Sequence, residues 1–173
     1  LDSMQADLVG LSLSVEGGAA CYVPLAHVAP GGVADGELDL GDSAAPKAAA
    51  PKQIAFATAI KMLKPMLEDP GILKVGQNIK YDMQVMARHG IEIAPVDDTM
   101  LLSYVLEGGL HGHGLDELAT LHLGHTNIKY GEVAGTGKKQ ISFAEVELDK
   151  ALDYAAEDAE VTGRLYRQLH PRI

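Results

Sequence analysis

The 173 residues carry 24 acidic against 14 basic side chains, a net charge of -10, and 47% of them are apolar. That balance argues against a protein that grips long duplex DNA through many phosphates. No apolar run approaches the ~20 residues of a membrane span, and no basic-then-apolar leader opens the chain, so one cytoplasmic domain with its own core is expected.

The single cysteine, Cys21, excludes an internal disulfide framework, fits a reducing compartment and reads as a small buried hydrophobe. In "ADLVGLSLSV", Leu11, Leu13 and Val15 alternate as in a half-buried strand. Gly17 and Gly18 predict a hairpin turn into a second strand over 19–25. Residues 29–52 hold almost no large apolar side chain and read as an exposed, mobile insertion without an assigned role. A helix is expected over 53–67, with Ile60, Leu63 and Leu67 on one face and Pro65 kinking it or starting a new turn. "ILKV" (72–75) reads as a buried strand, 81–89 as a helix closed by Gly90, and "IEIAPV" (91–96) as another strand. Asp97 or Asp98 can cap the helix "TMLLSYVL". A loop over 108–114 leads to the helix "LDELATLHL", stopped at Gly124. "TNIKYGEVAGTGKKQIS" is a long polar connection, "SFAE" a capping box, and Asp149 the expected cap of a long helix over 150–169. Two antiparallel strands followed by alternating strands and helices define an α/β fold with a mixed sheet and no internal repeat.

Two stretches put chemistry-bearing side chains at element ends. "KVGQNIKYD" closes a strand with Gln77, Asn78, Tyr81 and Asp82. Taken singly, Asn78 is an N-cap and Asp82 a first-turn acid facing the helix dipole. "YAAEDAEVT" puts Tyr154 and Asp158 four apart, on one helix face, beside small alanines. Taken singly, they are a surface phenol and a solvated acid. Together, two carboxylates on separate elements of an α/β fold can converge at the carboxyl end of the sheet and ligate Mg²⁺.

"VGQNIKYD", "DDTMLLSYVL", "HGLDELA" and "YAAEDAEVT", in this order and spacing, resemble the proofreading 3'-5' exonuclease domain of bacterial family A DNA polymerases, in its tyrosine-bearing branch. The resemblance runs nearly end to end apart from the insertion. It implies a ribonuclease-H-like mixed β-sheet flanked by helices, and two divalent ions, Mg²⁺ or Mn²⁺, held by four carboxylates. Asp82 and Asp158 would be metal ligands, and Tyr154 would orient the attacking water. Leu1, Gln77, Asn78, Tyr81 and Tyr130 match positions near the terminal nucleotides, where an aromatic ring stacks on a base. The implied partners are a single-stranded or frayed DNA 3' end and a polymerase domain in the parent chain, with no membrane. The implied product is a nucleoside monophosphate.

The family's first motif, an Asp and a Glu one residue apart on the central first strand, has no counterpart in these residues; Asp2 and Asp7 lack the spacing. The expectation is therefore a fragment over 1–173 without its polymerase domain or first strand. It would be inactive alone and prone to self-association through open sheet edges. The alternatives are a catalytically silent binding or spacer module, which the survival of Asp82, Tyr154 and Asp158 disfavours, and a related 3'-5' exoribonuclease. His111, His113, His122 and His125 have no cysteine nearby and are not read as a zinc set; His113 is expected to fix its loop. "GTGKK" fails as a phosphate loop, because Glu132 and Lys139 stand where Gly and Ser or Thr are needed, and reads as a flexible basic loop whose lysines meet phosphates. Met83 and Met86 are expected in the core.

Overall fold

Alternating apolar residues produce the expected hairpin: β1 (Gly10–Ser14) and β2 (Ala20–Pro24) run antiparallel, with Leu11 opposite Val23 and Leu13 opposite Cys21. The computed structural model describes residues 2–15, 18–29 and 51–173. Leu1, Gly17 and residues 30–50 of the expected insertion lie outside the described residues. Gly18, at φ +83°, supplies the left-handed backbone that the turn needs. Cys21 is exposed rather than buried, because neighbours in a strand point to opposite faces and Tyr22 takes the covered one.

Gly10 lies directly under that tyrosine. A Cβ at position 10 would meet Tyr22 Oη at 2.1 Å. The ring is not free to move aside. Its hydroxyl donates to His27 Nε2 at 2.8 Å, and the buried His27 donates through Nδ1 to the Val146 carbonyl at 3.2 Å. Gly10→Ala is therefore expected to lower stability by about 1–3 kcal/mol through overpacking. Urea denaturation checks this, and an unchanged midpoint would mean that Tyr22 has an alternative seat.

α1 (Phe56–Leu67) seats Ile60, Leu63 and Leu67 against Met86, Ile91 and Ile93, with Met83 packed beside them. The helix runs through Pro65, which gives up the backbone bond that position 65 would make to the Lys61 carbonyl. β3 (Lys74–Gly76) begins later than expected, and Ile72 and Leu73 are exposed. A turn built on Asp69, whose carbonyl accepts the Ile72 N–H and whose side chain accepts the Gly71 N–H, holds them short of the ladder. α2 (Ile79–Ala87) starts two residues before Tyr81. The strand expected over 91–96 is displaced to β4 (Val96–Asp98), parallel to β3 with Gly76 opposite Asp98. Ile91 and Ile93 bury their side chains without joining the ladder, so apolar alternation here reports burial alone.

α3 (Thr99–Glu107) and α4 (Leu115–Leu118) follow, and α4 widens into a π-turn over Ala119–Leu123 that ends at Gly124, φ +61°. The polar connection contains α5 (Tyr130–Ala134), which sequence patterning missed because it is one turn long; Glu132 folds back to accept the Lys129 N–H at 2.9 Å. The capping box at Ser142 forms and opens a 3₁₀ turn over Phe143–Glu145, and Gly137–Lys139 form another. α6 (Leu148–Leu169) has Glu147 at its N-cap. Asp149 lies in its first turn instead, where it complements the helix dipole.

The described strands form two two-stranded sheets, one antiparallel and one parallel. No strand joins them among the described residues. α6 packs on β1, β2 and β3 and so spans both sheets, while its Val161, Leu165 and Leu169 form a second core with Leu118 and Ala119. The result is the expected mixed α/β architecture flanked by helices. Among the described residues no helix is long and apolar enough to cross a membrane.

Candidate active site

The carboxyl end of β3 is shaped by two unusual positions. A Cβ on Gly76 would meet Ile79 Cβ at 2.8 Å, so only glycine lets the strand turn directly onto α2. Asn78 sits at φ 57°, ψ 42°, left-handed for a residue with a side chain. It occupies the N-cap position, but its side chain makes no capping bond. Asp98 does that work from β4. Its carboxylate accepts the N–H groups of Asn78 at 2.9 Å, Ile79 at 3.0 Å and Met100 at 2.9 Å, which caps α2 and α3 with one buried side chain. The sequence offers Asp98 as a cap for α3 only; its second helix comes from the parallel pairing of β3 and β4.

Gln77 is engaged inside the protein. Its amide donates to the His113 carbonyl at 2.7 Å and accepts from Thr99 Oγ1 at 2.5 Å. His113 Nδ1 in turn lies 2.8 Å from Ser103 Oγ, so His113 fixes its loop as expected. Asn78 is exposed and Tyr81 half-buried. Asp82, in the first turn of α2, has an exposed surface although protein mass crowds it; that crowding and the nearby Asp98 push its carboxyl up to about 6.

The second group lies on α6. Tyr154 and Asp158 share a face as predicted, and both are half-buried. Burial pushes the Asp158 carboxyl up to about 6; Asp116 and Glu157 push the same way, while hydrogen bonds from Tyr154 and Asn127 oppose. Burial, then the Asp158 charge, raises the Tyr154 phenol above its ordinary value. The phenol therefore stays protonated at neutral pH and donates toward the carboxylate. Asn127 is buried, its amide nitrogen 3.5 Å from Asp158 Oδ1 and its own carbonyl oxygen without a partner. The loop that carries it is tied to α6 by Glu157, which accepts the Ile128 N–H at 2.7 Å and pairs with His125 at 2.8 Å.

An aromatic surface adjoins Asp158. Tyr130 stacks near Phe143 with centroids 6.1 Å apart and planes at 24°, and both rings approach Tyr154, at 6.0 and 5.9 Å. Tyr22 and His27 close the cluster behind Phe143. Tyr130 was predicted; Phe143, from a distant turn, had no sequence signal beyond being one of two phenylalanines. The structure thus brings Tyr130, Tyr154 and Asp158 together, and Gln77, Asn78, Tyr81 and Asp82 together. α6 packs on β3 and links the groups, yet Asp82 and Asp158 share no hydrogen bond among the described residues. The lysines of "GTGKK" are exposed in their 3₁₀ turn.

The donor chemistry suits a hard divalent cation, because Mg²⁺ is usually held by one or two carboxylates together with substrate phosphate oxygens. Burial raises both carboxyls first and acidic neighbours add to it, so a cation beside either one would favour its ionised form.

A family model described as "3'-5' exonuclease" matches residues 37–173. Proteins named DNA polymerase I from Rhizobium leguminosarum and Pseudomonas aeruginosa are 43% and 40% identical over the whole chain. The chain spans 17% of the length of each. A solved structure described as the apo form of a nuclease superposes with TM-score 0.63 at 21% identity, covering 94% of this chain and 63% of that one, a likeness of fold. Brucella melitensis NrnC bound to pGG superposes with TM-score 0.53 at 25% identity, over 64% of this chain and 50% of that one.

Proposed function

The chain belongs to the 3'-5' exonuclease family, and from that membership we propose that it forms the nuclease site of a DNA polymerase I and trims the 3' end of DNA to release nucleoside monophosphates. The observation that carries this reading is the pairing on α6 of a protonated phenol, Tyr154, with a carboxylate whose pKa burial raises, Asp158, beside the open ring of Tyr130. A single-stranded or frayed end is the substrate, because the family's site admits one strand, and proofreading in the parent chain follows from that.

Asp82 and Asp158 would hold Mg²⁺ or Mn²⁺, which when bound supplies a Lewis acid at the phosphodiester and counter-charge for the departing 3' oxygen. Tyr154 orients the attacking water through its hydroxyl, and Asp158 fixes the direction of that hydroxyl. Tyr130, 40% exposed, offers a face to the terminal base. Asn78 presents an exposed amide and Tyr81 a partly exposed phenol toward the nucleotide backbone; Leu1, outside the described residues, is assigned to the 3' nucleotide by the motif match alone. Gln77 acts as a positioning residue, since both ends of its amide already hold protein groups.

Asp82 and Asp158 are half of the four carboxylates that the resemblance calls for. The 173 residues alone are expected to trim far more slowly than a chain that also supplies the Asp and Glu of the first motif. The unpaired edges of β1 and β3 make self-association of the isolated segment part of the same proposal. The 29–52 insertion reading draws support from a clasp at its base, where Gln53 bonds the His27 backbone twice, at 3.0 and 2.8 Å.

Release of mononucleotides from a 5'-labelled single strand, in Mg²⁺ and on the longest chain carrying these residues, tests the reading. Tyr154→Phe keeps the ring against Tyr130 and Phe143 but removes the hydroxyl. It is expected to lower kcat about 10²-fold with little change in KM, the magnitude of losing one positioned polar group. A KM effect alone would place Tyr154 in substrate binding.

A further inference from the structure

We propose that Glu107, His111 and His122 form a site for a borderline transition-metal cation, Zn²⁺ by its ligand chemistry, separate from the nuclease site. Glu107 ends α3, His111 lies on the following loop, and His122 lies in the π-turn after α4. Their ligand atoms all fall within 4.8 Å of one another. Glu107 Oε2 stands 2.8 Å from His111 Nε2 and 3.4 Å from His122 Nε2, and the three side chains are only 17%, 15% and 10% exposed. His122 Nε2 is buried with no hydrogen-bond partner.

The tautomers sharpen the case. His111 Nδ1 lies 2.6 Å from the Gly112 carbonyl, which can only accept, so Nδ1 carries a hydrogen. A neutral His111 then points a lone pair at a carboxylate oxygen. Two acceptors so close repel unless something positive lies between them. A proton on His111, which the Gly112 carbonyl and then Glu107 favour, answers that contact but leaves His122 Nε2 without a partner. One cation among the three side chains answers both.

Four-coordinate Zn²⁺ with bonds of about 2.0–2.1 Å sets its ligand atoms about 3.3 Å apart. The Glu107–His122 separation already has that length, and His111 needs to retreat by about half an ångström. Arg172 Nη2 donates to the other oxygen, Glu107 Oε1, at 2.5 Å. The guanidinium charge opposes a cation, yet it leaves Oε2 free and orients it, as outer partners of ligating carboxylates do; the Gly112 carbonyl orients His111 in the same way. Imidazole ligands select Zn²⁺ over Mg²⁺, and three protein ligands leave one position for water. The cation would tie the end of α3, its loop and the π-turn together, two residues from the His113 carbonyl on which Gln77 leans. Lacking any cysteine, the histidines alone did not suggest this set; Glu107 stands four residues before His111, and the fold brings His122 to them.

The test uses the chelator-treated intact polypeptide, titrated with Co²⁺ and then Zn²⁺ in excess Mg²⁺, which occupies carboxylate sites but competes poorly for imidazole. Expected is one equivalent of Co²⁺ with the strong visible absorption of four-coordinate cobalt, displaced by Zn²⁺, and a Tm raised by roughly 5–10 °C when Zn²⁺ stands at a hundred times its Kd. His122→Ala should lose both signals, and Glu107→Gln, which keeps the shape, should lose them where the alanine variant folds poorly. His125→Ala should keep both. No uptake, weak six-coordinate absorption, or uptake that survives in both His111→Ala and His122→Ala would overturn the proposal. None of these results touches the nuclease reading, which rests on Asp82, Tyr154 and Asp158.

Discussion

Asp158→Asn is expected to abolish 3'-terminal trimming while making the protein more stable at pH 7. Loss of groups that merely orient metal ligands costs 10–100-fold, so loss of a direct ligand should cost about 10³-fold or more. The stability half follows from the raised pKa. With its folded value near 6 and its ordinary value at 3.8, Asp158 holds a proton in the folded protein between about pH 4 and 6 that the unfolded chain has released. Stability therefore falls as pH rises through this window, and above it the ionised carboxylate is a standing cost. A neutral amide removes that cost. The gain at pH 7 should be about 1 kcal/mol, discounted because Asp158 is partly solvated, and should vanish toward pH 4. Thermal melts of both proteins at pH 4, 5.5 and 7, beside the trimming assay, decide it. Trimming at the parent rate would end the metal-ligand assignment. A lower Tm at pH 7 would mean that the bonds from Tyr154 and Asn127 outweigh burial.

Asp98→Ala should be the most destabilising single change near the site, at about 3–4 kcal/mol. Each lost helix cap costs about 1 kcal/mol, and the orphaned N–H groups add a desolvation penalty. Three donors lose their acceptor at once, those of Asn78, Ile79 and Met100. The left-handed Asn78 also loses the anchor that holds its strained backbone. Asp98→Asn retains one acceptor oxygen and should fall between. Urea denaturation measures both. A loss below about 1 kcal/mol for the alanine variant would show that water re-caps the helices as they stand. The effect bears on function because α2 carries Asp82, so a loosened cap should also cost activity in Mg²⁺ at temperatures well below unfolding.

The site divides cleanly into what local pattern reveals and what it hides. Tyr154 and Asp158 were legible because helical periodicity alone puts residues four apart on one face. Tyr130, proposed from motif spacing, does lie against Tyr154. Gln77 was found as a residue of interest but given a substrate role, whereas its amide bonds His113 and Thr99, partners 36 and 22 positions away. Asn78 was read as a cap because its residue type favours caps; the carboxylate that does the capping comes from the neighbouring strand. Phe143 carried no local signal as a site residue, and His111 and His122 were set aside as zinc ligands for want of a cysteine, with Glu107 not weighed beside them. The strand errors have one cause: Ile72, Ile91 and Ile93 show apolar patterning, but only pairing decides which backbone joins a ladder, and that choice went to Lys74–Gly76 and Val96–Asp98.

From its sequence alone, then, the chain determined the order of its elements, the length and polarity of α6, the hairpin, the capping box at Ser142 and the motif set that marks a 3'-5' exonuclease. All of these depend on neighbours within a few residues, where period and propensity act directly. Tertiary structure decided that Asp98 serves two helices, that five aromatic rings gather beside Asp158, and that a glutamate meets two histidines at the far end of α3. Apart from Glu107 and His111, which are four apart, those contacts join residues whose separation along the chain carries no helical or strand period, and they depend on packing such as that of Val161, Leu165 and Leu169 of α6 against Leu118 and Ala119.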